Sequence, residues 1–148
     1  MGIRKRIFIA TEYISLNHNS TAFYWAKIAL YLNKHYELTV ICPQNSYTES
    51  FFHESKLNVC YINDLALDKN KLVSRVFGQL IYAWSFNRYI LKLTTKNDIV
   101  FTGTNPIISM FFTALLKKAK AFKWMMLCHD IFHLLVCRKL FFFIIIFL

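Results

Sequence analysis

Asp98-Ile99-Val100-Phe101-Thr102-Gly103-Thr104-Asn105-Pro106 is the stretch on which the fold turns. Asp98 to Thr102 reads as a strand, because its three consecutive apolar residues do not alternate with polar ones, as befits a strand covered on both faces. Gly103-Thr104-Asn105 is the turn after it. Asn105-Pro106 then starts a helix, with Asn as the cap and Pro in the first turn, where a missing N–H costs nothing. That helix carries Ile107 to Leu116 and ends in Lys117, Lys118 and Lys120, cations that suit the negative end of the helix dipole. Lys123 to Cys128 is the next strand and runs into His129-Asp130. A strand, a helix and a second strand in this order make a unit whose strands lie parallel.

The same alternation extends back to the N-terminus. Ile7-Phe8-Ile9-Ala10 reads as a buried strand, followed by a polar loop from Ser15 to Ser20. A helix runs from about Thr21 to Lys34, with Ala22, Trp25, Ala26, Ala29 and Leu32 at helical spacing and Ser20 as its N-cap. Leu38 to Cys42 is a β-branched strand stopped by Pro43, Gln44 to Lys56 is a polar loop, and Asn58 to Ile62 is a third strand. Leu65 to Leu93 is helical, with Val73, Val76, Phe77, Leu80, Ile81 and Trp84 on one stripe; Gly78 lies within it. Parallel strands with right-handed crossovers give an α/β fold, an open doubly wound parallel sheet of Rossmann-like type, over residues 1–134. Ligands of such sheets sit outside the carboxyl ends of the strands. The segments expected there are Thr11 to Ser20, Gly103 to Asn105, and His129-Asp130. Glu12 is the one glutamate at that edge.

Composition narrows the classes. The 148 residues suffice for one domain, and 56% hydrophobic content rules out a disordered chain. Eighteen Lys+Arg against eight Asp+Glu leave a net charge of +10, which favours anionic partners. Lys69, Lys71, Arg75, Arg88, Lys92 and Lys96 are interleaved with Phe77, Tyr82, Trp84, Phe86 and Tyr89, the pattern of a helix that is core on one side and charged on the other, or that lies on an anionic membrane. Cys42, Cys60, Cys128 and Cys137 form no C-x-x-C pair and suit a reducing cytoplasm. With three glycines there is no dinucleotide fingerprint, P-loop or nucleophile elbow. Cys128-His129-x3-His133-x3-Cys137 follows no zinc spacing, so no metal is expected. Residues 135–148 form an apolar tail. Its nine-residue run Leu140 to Leu148 is shorter than the roughly 20 residues of a membrane-spanning helix and reads as a truncated or aberrant end.

Arg6-Ile7-Phe8-Ile9-Ala10-Thr11-Glu12-Tyr13, Glu37 to Pro43, Asp98 to Pro106 and Leu127-Cys128-His129-Asp130-Ile131-Phe132 together resemble the N-terminal half of family-4 glycosyltransferases, in the branch that builds lipopolysaccharide, capsule or colanic-acid-type polysaccharides. The resemblance covers about residues 4 to 134. It implies one half of a GT-B fold, in which this domain binds a saccharide acceptor, often lipid-linked, and a second domain binds the nucleotide-sugar donor without a metal. On that resemblance His129 and Asp130 are the catalytic candidates. Asn19 and Ser20 stand where many members have a glycine pair, and Gly103, Thr104 and Asn105 complete the substrate-binding set. The members' two glutamates eight positions apart, which hold the donor, have no counterpart here. The chain alone is therefore expected to be inactive and to rely on a separately encoded donor domain. It has no cofactor of its own, and it is expected in the cytoplasm, peripheral to the inner membrane. The alternative is a non-catalytic basic Rossmann-like module acting with a partner protein or a membrane. Nucleic acid is not an expected partner, because no recognition motif accompanies the charge.

Overall fold

The computed structural model describes residues 5–65, 72–104 and 106–128. Nine elements follow one another: β1 (Arg6–Ala10), α1 (Ser20–Leu32), β2 (Glu37–Pro43), α2 (Ser46–Ser55), β3 (Asn58–Ile62), α3 (Leu72–Leu93), β4 (Ile99–Gly103), α4 (Ile107–Lys120) and β5 (Lys123–Leu127). The five strands form one parallel sheet in the order β3-β2-β1-β4-β5. The doubly wound α/β expectation therefore holds. The order reverses at β1: β2 and β3 continue the sheet to one edge, and β4 and β5 continue it to the other. That switch point places the loops after β1 and β4 side by side.

Each face of the sheet has its own core. On one, Ile7 and Ile9 of β1 and Leu38, Val40 and Cys42 of β2 pack against Trp25, Ala26 and Ala29 of α1 and Phe51 and Phe52 of α2. On the other, Ala10, Ile41, Ile62 and Val100 meet Tyr82, Phe86 and Ile90 of α3, with Phe122. Burying one side chain of the size of Trp25 or Phe86 stabilises the fold by about 1.5–3 kcal/mol. The helices α3 and α4 are joined by a buried polar latch. The Asn87 amide donates to Ala83 O (2.8 Å), Ser109 O (3.3 Å) and Ser109 Oγ (3.0 Å), while Thr113 Oγ1 donates to Asn87 Oδ1 (3.0 Å). At their C-terminal ends, the Lys120 ammonium donates to the carbonyls of Leu91 and Thr94.

Three local expectations are corrected. The Gln44–Lys56 loop contains α2, which a capping box initiates: Asn45 Oδ1 accepts from Thr48 N, and Thr48 Oγ1 accepts from Asn45 N. Burial of Phe51 and Phe52 then holds this otherwise polar helix to the sheet. The cap of α1 is Asn19 rather than Ser20, which is the first helical residue; Asn19 Oδ1 accepts from Ala22 N at 2.8 Å. In α4 the cap position falls to Pro106, with no side-chain bond, while Asn105 lies outside the described residues. In α3 the stripe of Val73, Val76, Phe77, Leu80, Ile81 and Trp84 faces solvent, and Tyr82, Phe86 and Ile90 on the opposite side pack on the sheet.

Candidate functional site

The site is built from the segments that leave the carboxyl ends of neighbouring parallel strands. Ala10 pairs with Ile41 of β2 and Thr102 of β4, and Gly103 pairs with Leu127 of β5. The chain therefore turns at one rim after Ala10, Pro43, Gly103 and Leu127. This is the rim on which the sequence placed Thr11–Ser20 and Gly103-Thr104.

The loop after β1 is folded onto α1 by its own polar groups. Thr11 N donates to Ile41 O, and Ser15 N to Ala22 O. The Thr11 hydroxyl donates to Tyr13 O and accepts from Tyr13 N, closing a small turn. The loop projects Tyr13 and His18 outward. Their rings stack with centroids 5.8 Å apart, and His18 meets Tyr47, from the first turn of α2, at 4.4 Å. Three rings, two from the loop after β1 and one from the start of α2, thus make an aromatic surface at the rim. Beside it, a hollow of about 250 Å³ is lined by Ser15, Asn17, Ser46, Tyr47, Ser50 and Glu54. Hydroxyls, an amide, a carboxylate and an aromatic face are the groups that take a polar ligand with an apolar ring face.

An acidic, phenolic cluster adjoins the platform. The Tyr82 hydroxyl donates to Asp64 Oδ1 at 2.7 Å and accepts from Leu65 N at 3.1 Å. Burial pushes the Tyr82 phenol well above its ordinary value, and the Asp64 hydrogen bond and the charges of Asp64 and Glu12 add to the rise. Tyr13 is raised for the same reasons, burial first and then Glu12 and Asp64. Glu12, half-buried next to β1, is thus electrostatically coupled to both phenols.

The residues proposed from sequence are distributed as follows. Asn19 and Ser20 line an open hollow with Asn17, His18, Phe23 and Tyr24. The Asn19 side chain is committed to capping α1, so one of the N–H groups that a glycine pair would leave for a substrate is already taken. Gly103 ends β4 with its missing side chain toward Trp25; a Cβ there would stand 3.5 Å from the indole. Thr104 is buried behind it. Asn105, His129 and Asp130 lie outside the described residues, as do His133 and Cys137 of the unusual Cys/His run. Among the described residues no group of three or more His, Cys, Asp or Glu could hold a metal ion. None of their helices is long and apolar enough to cross a membrane.

Tyr13, His18, Tyr47, Asp64 and Tyr82 are not among the site residues expected from the sequence. The first two sit in the loop already assigned to the rim, so the signal for them was present in their aromatic character. Tyr47 was hidden in a segment taken as loop, and the Asp64–Tyr82 bond joins residues 18 positions apart.

A parallel sheet wound on both faces, with its loops gathered at one rim, defines a Rossmann-like domain. Its backbone matches the C-terminal domain of a hydrogenase from Pyrococcus furiosus (TM-score 0.58, 13% identity, 85% of this chain and 92% of that one). It also matches the pantoate-beta-alanine ligase of Francisella tularensis (TM-score 0.52, 13% identity, 86% of this chain and 60% of that one). At such identity these likenesses speak for the fold alone. In sequence the chain is similar to a glycosyltransferase: it is 35% identical over 129 residues, 86% of its length, to the probable glycosyltransferase WbjE of Pseudomonas aeruginosa. The chain spans about a third of that relative, 32% of its length. No family model matches the sequence.

Proposed function

We propose that this domain is the acceptor-binding half of a GT-B glycosyltransferase of family 4, in the polysaccharide-building branch, and that it holds a saccharide, free or lipid-linked, at the rim described above. The observation that carries the reading is the 35% identity to a probable glycosyltransferase over 86% of the chain. The rim chemistry supports it. A sugar ring has an apolar face of C–H groups and an equator of hydroxyls, which suit the Tyr13–His18–Tyr47 rings and the Glu54, Ser50 and Asn17 groups beside them.

In this reading the acceptor lies over the loops after β1 and β2, and its attacking hydroxyl points toward the end of β5, where His129 and Asp130 follow Cys128. A histidine there serves as general base or as donor to substrate oxygens. The nucleotide-sugar donor is held by a second domain, which closes the cleft and excludes water, because transfer needs both substrates positioned together. No resident cofactor or metal takes part.

The test is sugar transfer from nucleotide-sugar donors to lipid-linked saccharide acceptors. It is measured with the chain alone, with the remaining portion of the Pseudomonas relative added in trans, and with Tyr47→Ala in the mixture. The expected result is no transfer by the chain alone, transfer by the mixture, and a raised acceptor KM for Tyr47→Ala with kcat little changed. A mixture that transfers nothing, with a chain that binds no saccharide by titration calorimetry, overturns the reading.

A further inference from the structure

The helix α3 has two apolar sides, and the fold uses only one. Tyr82, Ala83, Phe86 and Ile90 are buried against the sheet. On the opposite side Val73 (69% exposed), Phe77 (61%) and Trp84 (68%), with Leu80 and Ile81 between them, form a continuous ridge in water. The spacing of four residues from Val73 to Phe77 and seven from Phe77 to Trp84 keeps them on one face, and the ridge runs roughly 16 Å along the axis at 1.5 Å per residue. Monomeric soluble proteins rarely leave so many large apolar side chains together in solvent.

The same face changes character beyond Trp84. Arg88 and Lys92 follow at one and two further turns. With Asn63, Trp84, Ser85 and Tyr89 they line a hollow of about 250 Å³. Tyr89 is anchored there by the hydrogen bond it donates to Tyr61 O at 3.2 Å. An apolar ridge, then an indole, then a cationic hollow of headgroup size is the order of chemistries met on passing from acyl chains to phosphates. The net charge of +10 selects among occupants. A second copy of the chain would bring an equally cationic surface against this one, whereas an anionic leaflet attracts it.

We propose that α3 is a membrane-docking element. Val73, Phe77, Leu80, Ile81 and Trp84 enter the interface of a bilayer, and Arg88 and Lys92 take the phosphate of an anionic phospholipid. This goes beyond the glycosyltransferase reading and does not depend on it, since docking requires no sugar transfer. The start of α3 lies on the rim side of the sheet, so the docked lipid surface and the aromatic platform share one end of the molecule.

The test is flotation of the full chain with vesicles of phosphatidylglycerol and phosphatidylethanolamine, against vesicles of phosphatidylcholine alone, while tryptophan emission is followed. Trp25 is already buried, and Trp124 is half-buried with its indole N–H donated to Thr102 Oγ1 inside the fold, so the exposed Trp84 dominates any lipid-induced blue shift. Binding is expected to the anionic vesicles only, to weaken with salt, and to carry a blue shift that Trp84→Phe removes. Phe77→Ser with Leu80→Ser, and separately Arg88→Glu with Lys92→Glu, should each weaken binding at least ~10-fold with the circular dichroism spectrum unchanged, because acyl burial and headgroup attraction both contribute. Both pairs leave the apolar run Leu140–Leu148 intact. Undiminished binding of these variants, equal binding to phosphatidylcholine, no binding at all, or a lipid-free dimer in which Trp84 is already shielded each overturns the proposal.

Discussion

Replacing Asp98 by alanine should cost about 3 kcal/mol of folding stability, several times the effect of an ordinary surface ion pair. The carboxylate lies just before β4 and gathers four donors from two distant parts of the chain. Arg6 Nε reaches Oδ1 at 3.0 Å, and Arg6 Nη2 reaches Oδ2 at 2.6 Å. Thr95 N and Thr95 Oγ1 reach Oδ2 at 2.6 and 2.9 Å. The Asp98 side chain is 5% exposed and that of Arg6 38%. The pair therefore stands between a surface bridge, worth up to about 1 kcal/mol, and a buried one, whose disruption costs roughly 3–5 kcal/mol. Removing Asp98 frees an arginine that can still reach water, so the loss is mainly the charge-assisted hydrogen bonds. Removing Arg6 leaves the carboxylate its two Thr95 donors, and about 1–2 kcal/mol is expected for Arg6→Ala. Urea unfolding of the two single variants and the double variant gives the coupling, expected near 1 kcal/mol; in thermal melts the Asp98→Ala midpoint should fall by roughly 6–12 °C at ~2–4 °C per kcal/mol. Equal costs for the two single variants, or a loss below about 1 kcal/mol for Asp98→Ala, would refute the assignment of Thr95 and Arg6 as joint partners.

Asn45→Ala removes the capping box that starts α2 and should destabilise by about 1 kcal/mol, read as a lower urea midpoint. Gly103→Ala is expected to be nearly neutral because its Cβ meets Trp25 at ordinary contact distance, whereas Gly103→Leu should displace the indole and change the near-ultraviolet dichroism. Ala121 caps α4 in the left-handed region at φ 57°, so Ala121→Gly should stabilise slightly, by up to about 1 kcal/mol in thermal melts. The raised Tyr82 phenol has a pH signature. Its folded value lies above the unfolded value of about 10, so its contribution is full below that pH and is lost as pH rises beyond it. The fall in urea midpoint between about pH 8 and pH 11 should therefore be shallower in Tyr82→Phe than in the parent, and an unchanged slope would count against the Asp64–Tyr82 cluster. Cys42, fully buried with its thiol pushed up by that burial, should resist thiol reagents in the native protein while Cys128 reacts.

Strand identity, strand direction and the location of the rim followed from local chemistry. Runs such as Ile7–Ala10 and Ile99–Phe101 have no polar alternation, so they demand cover on both faces, and helices between them impose parallel strands and right-handed crossovers. That logic places the loops after β1 and β4 together without a coordinate. The capping of α2 was also present in the sequence, as Asn45 and Thr48 three positions apart. It was missed because Thr replaces the usual Glu or Gln and the helix carries few apolar residues.

Tertiary structure decided the rest. In α3 both the buried and the exposed side chains recur at helical spacing, so periodicity alone cannot tell which side meets the sheet; only the packing of Tyr82, Phe86 and Ile90 on β1, β2 and β4 chose. The aromatic platform likewise needed β1 and β2 to be neighbours, because Tyr13 and His18 leave one strand and Tyr47 the next. Sequence thus determined which segments must be layered and at which edge a ligand would meet them, because hydrophobic burial and helix capping are local. Which side chains converge there depended on distances between residues far apart in the chain, and those exist only once the sheet is assembled.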